Sequence, residues 1–457
     1  MNKQDKKKAK KKLTPSDMVR MPIVNSDAAG IDISATIHAV AVPIDRDEES
    51  VRLFGGFTED LKAIAEWLRQ CSITSVAMES TGVYWKPLYM ILIENGFEVL
   101  LVNAKHVKNV TGRKTDEEDA RWIQKLHSCG LLKSSFIPDN ATEQLRTLVR
   151  HRKRLLEDSS KYVQRMQKAL ELMNIKIHCV ISDLMGKTGT AIIEAILAGE
   201  RMPKNFLIHV DGRIKADSEK ITQSLTGNWR EEQLFLLEEN YSLYQYIQQR
   251  IISCESKIEK YFKSVITNSE GIHQKQISTE RQTRKSRQKK KNDPLFDVRG
   301  YLYRIHGVDV TEIFGISETS ALEILAETGT DLSKWEDEKK FVSWLNLCPN
   351  NKISGGKLIS SMVMSKKSGY VAQSFRAAAN GLQRSDHWLG DYFRRMKTKG
   401  GNKYAIIATA RKLAIIYYKM VRYKQEFNPI DAETYRQKYK AVKIAWLEKQ
   451  LSRLKVA

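Results

Sequence analysis

Four acidic side chains in the first third of the chain have the types and positions expected of metal ligands. Asp32 lies inside the apolar segment AAGIDIS, and Glu79 ends the apolar segment SVAME. Burying an unpaired carboxylate is costly, so each acid needs a compensating partner. If the two segments are neighbouring parallel strands, about 4.8 Å apart, the two carboxylates repel each other unless a cation lies between them.

Two further acids, Asp116 and Asp119, lie three residues apart in KTDEEDA and so share one face of a predicted helix. With Asp32 and Glu79 they make a set of four hard oxygen ligands, which suits Mg²⁺ or Mn²⁺. A pair of such ions would stabilise the attacking and leaving oxygens during phosphodiester cleavage. The alternative is that Asp116 only interacts with the helix dipole, while the acids that follow it face solvent.

A hydroxyl in the C-terminal part of the chain is a candidate nucleophile. In the segment NKISGGKLISS, Ser354 precedes Gly355 and Gly356. Glycines let a backbone approach a phosphate closely, and the adjacent hydroxyl could attack one. Ser-Gly-Gly also occurs in many ordinary turns, so this segment alone does not assign the role.

The charge of the chain favours a polyanionic partner. It carries 76 Lys and Arg against 54 Asp and Glu, a formal charge of +22, which is typical of a protein that binds nucleic acid. The candidate contacts are Arg113, Lys114, Lys352, Lys357, Arg376, Arg394 and Arg395. For the basic residues on helices, the alternative is a solvated helix face.

The elements that must position the acids follow the order βββαβαβα. Apolar runs and turn residues predict strands at residues 28–33, 37–44, 51–57, 73–79 and 97–102, and amphipathic periodicity predicts helices at 60–70, at 84–95 and from Lys114. Three leading strands followed by βα units are typical of a mixed sheet with helices on its faces, as in RNase H-like nucleases.

Beyond residue 140 the patterns predict only helices, so the expected fold class is α/β plus all-α. Heptad spacing indicates a coiled-coil seam formed by Tyr244, Ile247, Ile251, Cys254, Ile258, Tyr261 and Val265. Its partner is either the earlier helix near residues 145–173 or a second copy of the chain. A basic linker at 281–291 precedes a helical region from Tyr301 to Arg422 and a final helix at 432–454.

The five cysteines form no CxxC pair, and no run of 18 apolar residues occurs. These observations argue against a zinc site, a disulfide framework and a membrane partner. We expect a cytoplasmic protein that associates with the nucleoid when it is active.

Taken together, the motifs resemble the DEDD-type transposases of the insertion sequence one-ten family, which are bridge-RNA-guided serine recombinases. The matching segments are GIDIS, MESTGVYWKPL, KTDEEDA, GISETSALEILAETG, LCPNNKISGGK, LGDYFRRM and AIIATARKLAIIYY. They occur in the family's order and cover most of residues 28–425.

The resemblance implies that Asp32, Glu79, Asp116 and Asp119 bind divalent metal in a RuvC-like domain. It also implies that Ser354 becomes covalently joined to DNA. The partners would be donor and target DNA, a noncoding bridge RNA and further copies of the chain, in a dimer or tetramer. In the family, the two domains that form one active site come from different subunits.

With this resemblance, the chain divides into six expected segments. They are a basic disordered arm at 1–22, a RuvC-like catalytic domain with the RNase H fold at 23–138, long coiled-coil helices at 139–280, a basic linker at 281–294, a helical transposase domain with the serine at 295–430, and a C-terminal helix at 431–457.

Two other functions remain open. A RuvC-like metal-dependent nuclease or junction resolvase would use water in place of Ser354 as the nucleophile. A non-catalytic nucleic-acid scaffold would need none of the acids, although the expected burial of Asp32 argues against it.

Overall fold

The computed structural model describes residues 22–103, 115–268, 291–362 and 369–456. The chain forms two compact units, Met1–Ile137 and Pro138–Ala457. The predicted basic arm up to residue 21 and the linker up to residue 290 lie outside the described residues.

The first unit is built on a five-stranded mixed sheet. Its strands are β1 (Ala28–Ile33), β2 (Ile37–Ala41), β3 (Val51–Gly55), β4 (Ser75–Glu79) and β5 (Glu98–Val102). The strand order is β3-β2-β1-β4-β5, with β1 antiparallel to β2 and parallel to β4, and with β4 parallel to β5. The predicted order βββαβαβα is confirmed.

Helices cover both faces of this sheet. Helices α1 (Thr58–Gln70) and α2 (Trp85–Glu94) pack on the face that carries Ile31 and Met78, where the main apolar core of the unit lies. Helix α3 (Asp116–Ser128) packs on the opposite face through buried Ala120 and Ile123. Both faces are therefore buried, which explains the nearly continuous apolar runs of β1 and β4.

The second unit begins with a long antiparallel helical hairpin. Helix α4 (Asn140–Leu172) packs along helix α7 (Glu231–Asn268), and the Cys254 Sγ donates to the Leu148 carbonyl at 3.4 Å. Between them lie α5 (Lys187–Leu197), α6 (Ser218–Ser224) and two short 3-10 segments, which enclose an apolar core together with the end of α4 and the start of α7. The seam predicted from heptads thus pairs with the earlier helix of the same chain.

A buried ion pair crosses this hairpin. The Arg152 Nε donates to the Glu255 Oε1 at 2.7 Å, and both side chains are 4% exposed. The same two residues hold the chain that follows the linker, because Arg152 donates to the Asn292 carbonyl and Glu255 accepts from the Leu295 amide. The heptad pattern did not reveal this polar layer.

The rest of the second unit is mainly helical. Its helices are α8 (Val298–His306), α9 (Glu318–Thr328), α10 (Glu338–Trp344), α11 (Tyr370–Gly381), α12 (Trp388–Tyr423) and α13 (Ala432–Val456). Helix α12 is kinked where Gly400 and Gly401 leave helical geometry. Within the described residues, no helix is both long and apolar enough to span a membrane.

The prediction that strands end before residue 140 was wrong at one place. Strands β6 (Asn350–Ser354) and β7 (Lys357–Met362) form an antiparallel hairpin. Its turn residues, Gly355 and Gly356, have φ of 55° and 73°, as a type I′ turn requires. The hairpin escaped prediction because most of its side chains are polar and exposed, which gives no alternating apolar pattern.

Candidate metal and nucleic-acid site

Asp32 and Glu79 lie side by side at the carboxyl ends of two parallel strands. The register pairs Ile31 of β1 with Met78 of β4, so the next residue on each strand is an acid. Alternation turns both acids away from the apolar core that holds Ile31 and Met78. Glu79 is buried and Asp32 is half-buried.

Helix α3 covers the face on which these two acids lie, and it runs antiparallel to β1. The Gln124 side chain donates to the Ala28 carbonyl, and the Ser128 carbonyl accepts from the Asn25 amide. The later turns of α3 therefore lie at the amino end of β1, and its first turn points to the carboxyl end. That first turn carries Asp116 and Asp119.

The other three acids all affect the electrostatics of Asp32. Burial and, to a smaller extent, the negative charges of Glu79, Asp116 and Asp119 together raise the pKa of Asp32 to about 6. All three of the other predicted acids thus act on this one carboxyl group. The cluster stores like-charge repulsion, which a bound cation would relieve.

The donor chemistry of the cluster fits a hard divalent cation. Four carboxylates from one strand pair and one helix turn supply only oxygen ligands, which suits Mg²⁺ or Mn²⁺. Within the described ranges, however, no group of three acidic, histidine or cysteine side chains is already arranged to hold one ion. Metal binding would therefore require the exposed Asp116 and the half-buried Asp119 to reorient.

Two threonines that sequence reasoning missed support the acids. The Thr81 Oγ1 donates to the Glu79 Oε1 at 3.1 Å, two residues beyond the end of β4. Thr115 is the N-cap of α3 and accepts from the Glu118 amide. The cap could have been recognised in KTDEEDA from its Thr before an acidic first turn, whereas the Thr81 contact depends on the turn geometry after β4.

Ser354 belongs to the second unit, where it ends β6 beside the turn. It is exposed, and its cross-strand partner is Lys357. Directly opposed residues point to the same face of a hairpin, so the Lys357 ammonium group lies on the face of the Ser354 hydroxyl. Lys352, two residues before Ser354 on β6, is also exposed, and the register of the hairpin shifts between Lys352 and Ile353.

Of the four predicted arginine contacts, the three that the structure describes are engaged within the chain. Arg394 donates to the carbonyls of Ser385 and Gln383 at 2.9 Å and 3.1 Å and pairs with Asp391 at 2.6 Å. The Arg395 guanidinium lies over the rings of Tyr392, Tyr435 and Tyr439. These contacts fasten the turn before α12 and the start of α13.

Arg376 is also partly enclosed, and burial lowers the pKa of its guanidinium. It lies 3.5 Å from the Asn346 carbonyl. Arg113 and Lys114 lie outside the described residues. Among the predicted contacts that the structure describes, Lys352 and Lys357 are the exposed ones.

The mixed sheet, the acids at its carboxyl edge and the helix across them define a DEDD-type, RNase H-like domain joined to a helical domain. Residues 29–175 match the DEDD transposase model of IS110 elements, and residues 309–394 match the transposase family IS116/IS110/IS902. The two segments contain the four acids and Ser354, respectively. The chain belongs to the IS110 family of transposases, which act on DNA. No curated protein matches it.

Proposed function

We propose that this transposase cuts and rejoins DNA strands through a phosphoserine intermediate, with Ser354 as the nucleophile and with Asp32, Glu79, Asp116 and Asp119 as metal ligands. The observation that carries the proposal is the convergence of four acids from β1, β4 and α3 at one edge of the sheet. Bound Mg²⁺ or Mn²⁺ would neutralise the carboxylates and polarise the scissile phosphate.

The proposed chemistry conserves the number of phosphodiester bonds. The Ser354 Oγ loses its proton and forms a bond to phosphorus, while the bond from phosphorus to the 3′ oxygen breaks. The departing 3′ oxygen takes up a proton and leaves as a 3′-hydroxyl. In the second step, a 3′-hydroxyl from another strand attacks the phosphoserine and releases Ser354, so that no ATP is needed.

Lys352 and Lys357 would help to place the phosphate beside Ser354. Both are exposed on the β6–β7 hairpin, and Lys357 lies directly across from Ser354. An ammonium group attracts a phosphate oxygen without dictating DNA sequence, so these lysines would contribute to binding and not to target choice.

The proposal also includes the assembly and the RNA that the family resemblance implies. The acids and the serine lie in different units of the chain, and we propose that they meet in a homo-oligomer, a dimer or a tetramer. A noncoding bridge RNA would pair with donor and target DNA. The net charge of +22 supports binding to such polyanions.

The decisive experiment compares Ser354→Ala with the wild-type chain on end-labelled DNA that contains the element's boundary. We expect wild type to give two products. One is a protein–DNA adduct that survives denaturing electrophoresis, and the other is joined DNA strands. Ser354→Ala should give neither. Ser360→Ala, on the same hairpin, is the matched control and should retain both products.

Two outcomes would contradict the proposal. If Ser354→Ala still cuts DNA at the wild-type rate, water is the nucleophile and the protein acts as a nuclease or resolvase. If joined strands form without any RNA transcribed from the noncoding ends of the element, the RNA-guided part of the proposal is wrong.

A further inference from the structure

The segment that leaves the acid site exposes an aromatic ring. Residues 80–84 connect Glu79, at the end of β4, to helix α2. Within this segment, Val83 is 69% exposed and Tyr84 is 45% exposed. A tyrosine so close in sequence to a buried acid needs an explanation, since an exposed ring contributes little to folding.

The neighbouring aromatic residue already serves the fold. Trp85, the first residue of α2, packs against the main core of the unit and makes an edge-on contact with Tyr89, with ring centroids 5.6 Å apart. Trp85 thus contributes, with the buried Leu88 and Leu92, to the packing of α2 on the sheet. Tyr84 remains on the outside of the same turn.

The local backbone holds Tyr84 near the end of β4. Gly82 has φ of +55°, and a β-carbon added there would lie 3.3 Å from the Tyr84 Cε2. The Tyr84 ring therefore lies over Gly82, in a turn that also contains Thr81. Because the Thr81 hydroxyl donates to the Glu79 carboxylate, the turn is fastened to the acid site.

We infer that Tyr84 is a stacking platform for a nucleobase adjacent to the scissile phosphate. This inference rests on the proposed function, in which the acids and their metal ions hold that phosphate. A base beside the phosphate must leave its own stack when the strand is deformed for cleavage. An exposed ring at the site offers a replacement surface that accepts any base.

The stacking role predicts a loss of binding without a loss of chemistry. Truncating a ring that stacks on one base weakens binding by roughly tenfold or more. Tyr84→Ala should therefore raise KM for DNA by about tenfold and change kcat little. Tyr84→Phe keeps the aromatic face and should behave like wild type.

The direct test uses DNA that carries 2-aminopurine beside the cleavage position. The full chain with Ser354→Ala binds this DNA without cutting it. We expect Tyr84 to quench the fluorescence of the probe, and we expect the quenching to be lost in Tyr84→Ala and kept in Tyr84→Phe. Tyr246→Ala is the matched control, because Tyr246 is 58% exposed on α7 in the other unit.

Tyr84→Leu separates stacking from simple packing, because leucine fills space without an aromatic face. Wild-type quenching and KM in a folded Tyr84→Ala or Tyr84→Leu protein would overturn the inference. If the wild-type chain neither cuts DNA nor forms the Ser354 adduct, the proposed function fails instead. If wild type forms the adduct and the Tyr84 variants bind DNA and quench the probe as wild type does, the stacking role alone is wrong.

Discussion

Gly30 and Gln124 meet where helix α3 crosses strand β1: a β-carbon added to Gly30 would lie 2.1 Å from the backbone nitrogen of Gln124. Asp32 follows two residues later on the same face of β1. The absence of a side chain at Gly30 thus sets how closely the first turn of α3 approaches the acid pair on the sheet.

Gly30→Ala should push α3 away from β1. We expect a loss of about 1–3 kcal/mol of unfolding free energy from overpacking, together with at least a tenfold slower DNA cleavage. Urea denaturation and a cleavage time course measure the two effects. Gly212→Ala is the control, since a β-carbon there meets no atom within 4 Å. Wild-type stability and cleavage in Gly30→Ala would show that the contact between α3 and β1 accommodates an added methyl group.

The metal-free protein should lose stability as the pH rises through the titration of Asp32. The pKa of Asp32 is about 6 in the folded chain against 3.8 for an ordinary Asp, so the folded state binds this proton more tightly than the unfolded state. The stabilisation is complete below pH 3.8 and is lost as the pH rises through 6, by roughly 1–2 kcal/mol because solvent screens this half-buried group.

Thermal melts between pH 4 and pH 8, with EDTA and with Mg²⁺, measure this effect. In Asp32→Asn, the part of the pH dependence of the melting temperature that Asp32 causes should vanish. With Mg²⁺ the loss above pH 6 should shrink, because the cation replaces the proton. A melting temperature in EDTA that falls equally in wild type and Asp32→Asn would show that other groups cause the dependence.

Glu79→Gln should remove the stabilisation by metal while keeping the fold. The Thr81 hydroxyl can still donate to the amide oxygen, so the turn after β4 keeps its hydrogen bond. We expect the rise in Tm caused by Mg²⁺ to disappear and cleavage to slow by roughly a hundredfold or more. Glu94→Gln, at the end of α2, is the control. An unchanged response to Mg²⁺ would exclude Glu79 as a ligand.

Breaking the buried ion pair should destabilise the helical hairpin strongly. Arg152→Ala leaves the Glu255 carboxylate buried without its cation, which costs about 3–5 kcal/mol. Lys161→Ala removes an exposed pair with Asp158 and should leave the unfolding free energy almost unchanged. Chemical denaturation compares the two variants. Equal, small losses would mean that water reaches Glu255 in the variant.

Short apolar runs bounded by turn residues were enough to predict the sheet of the first unit. Strand β1 has the predicted bounds, while β2 and β3 end a few residues early, at Ala41 and Gly55, because turn residues replace the last predicted ladder positions. The four acids also lie on the elements predicted from sequence, near the ends of β1 and β4 and on the first turn of α3.

Contacts between distant segments could not be read in the same way. The heptad pattern predicted a buried seam but not the helix that packs against it. The choice of that helix depends on chain connectivity and loop length. The late part of the seam also shifts, because Phe262 is fully buried where Tyr261 was expected. Arg395 looked like a nucleic-acid contact, but Tyr435 and Tyr439 reach it from α13.

Helix α4 sets the distance between two parts of the second unit. Its 33 residues extend about 50 Å at 1.5 Å per residue. At its beginning, Thr142 touches Gly329 after α9, and at its end Ala169 lies in the core shared with α5. The paired helices are therefore a spacer whose ends are separated by nearly one and a half turns of B-form DNA, at roughly 34 Å per turn.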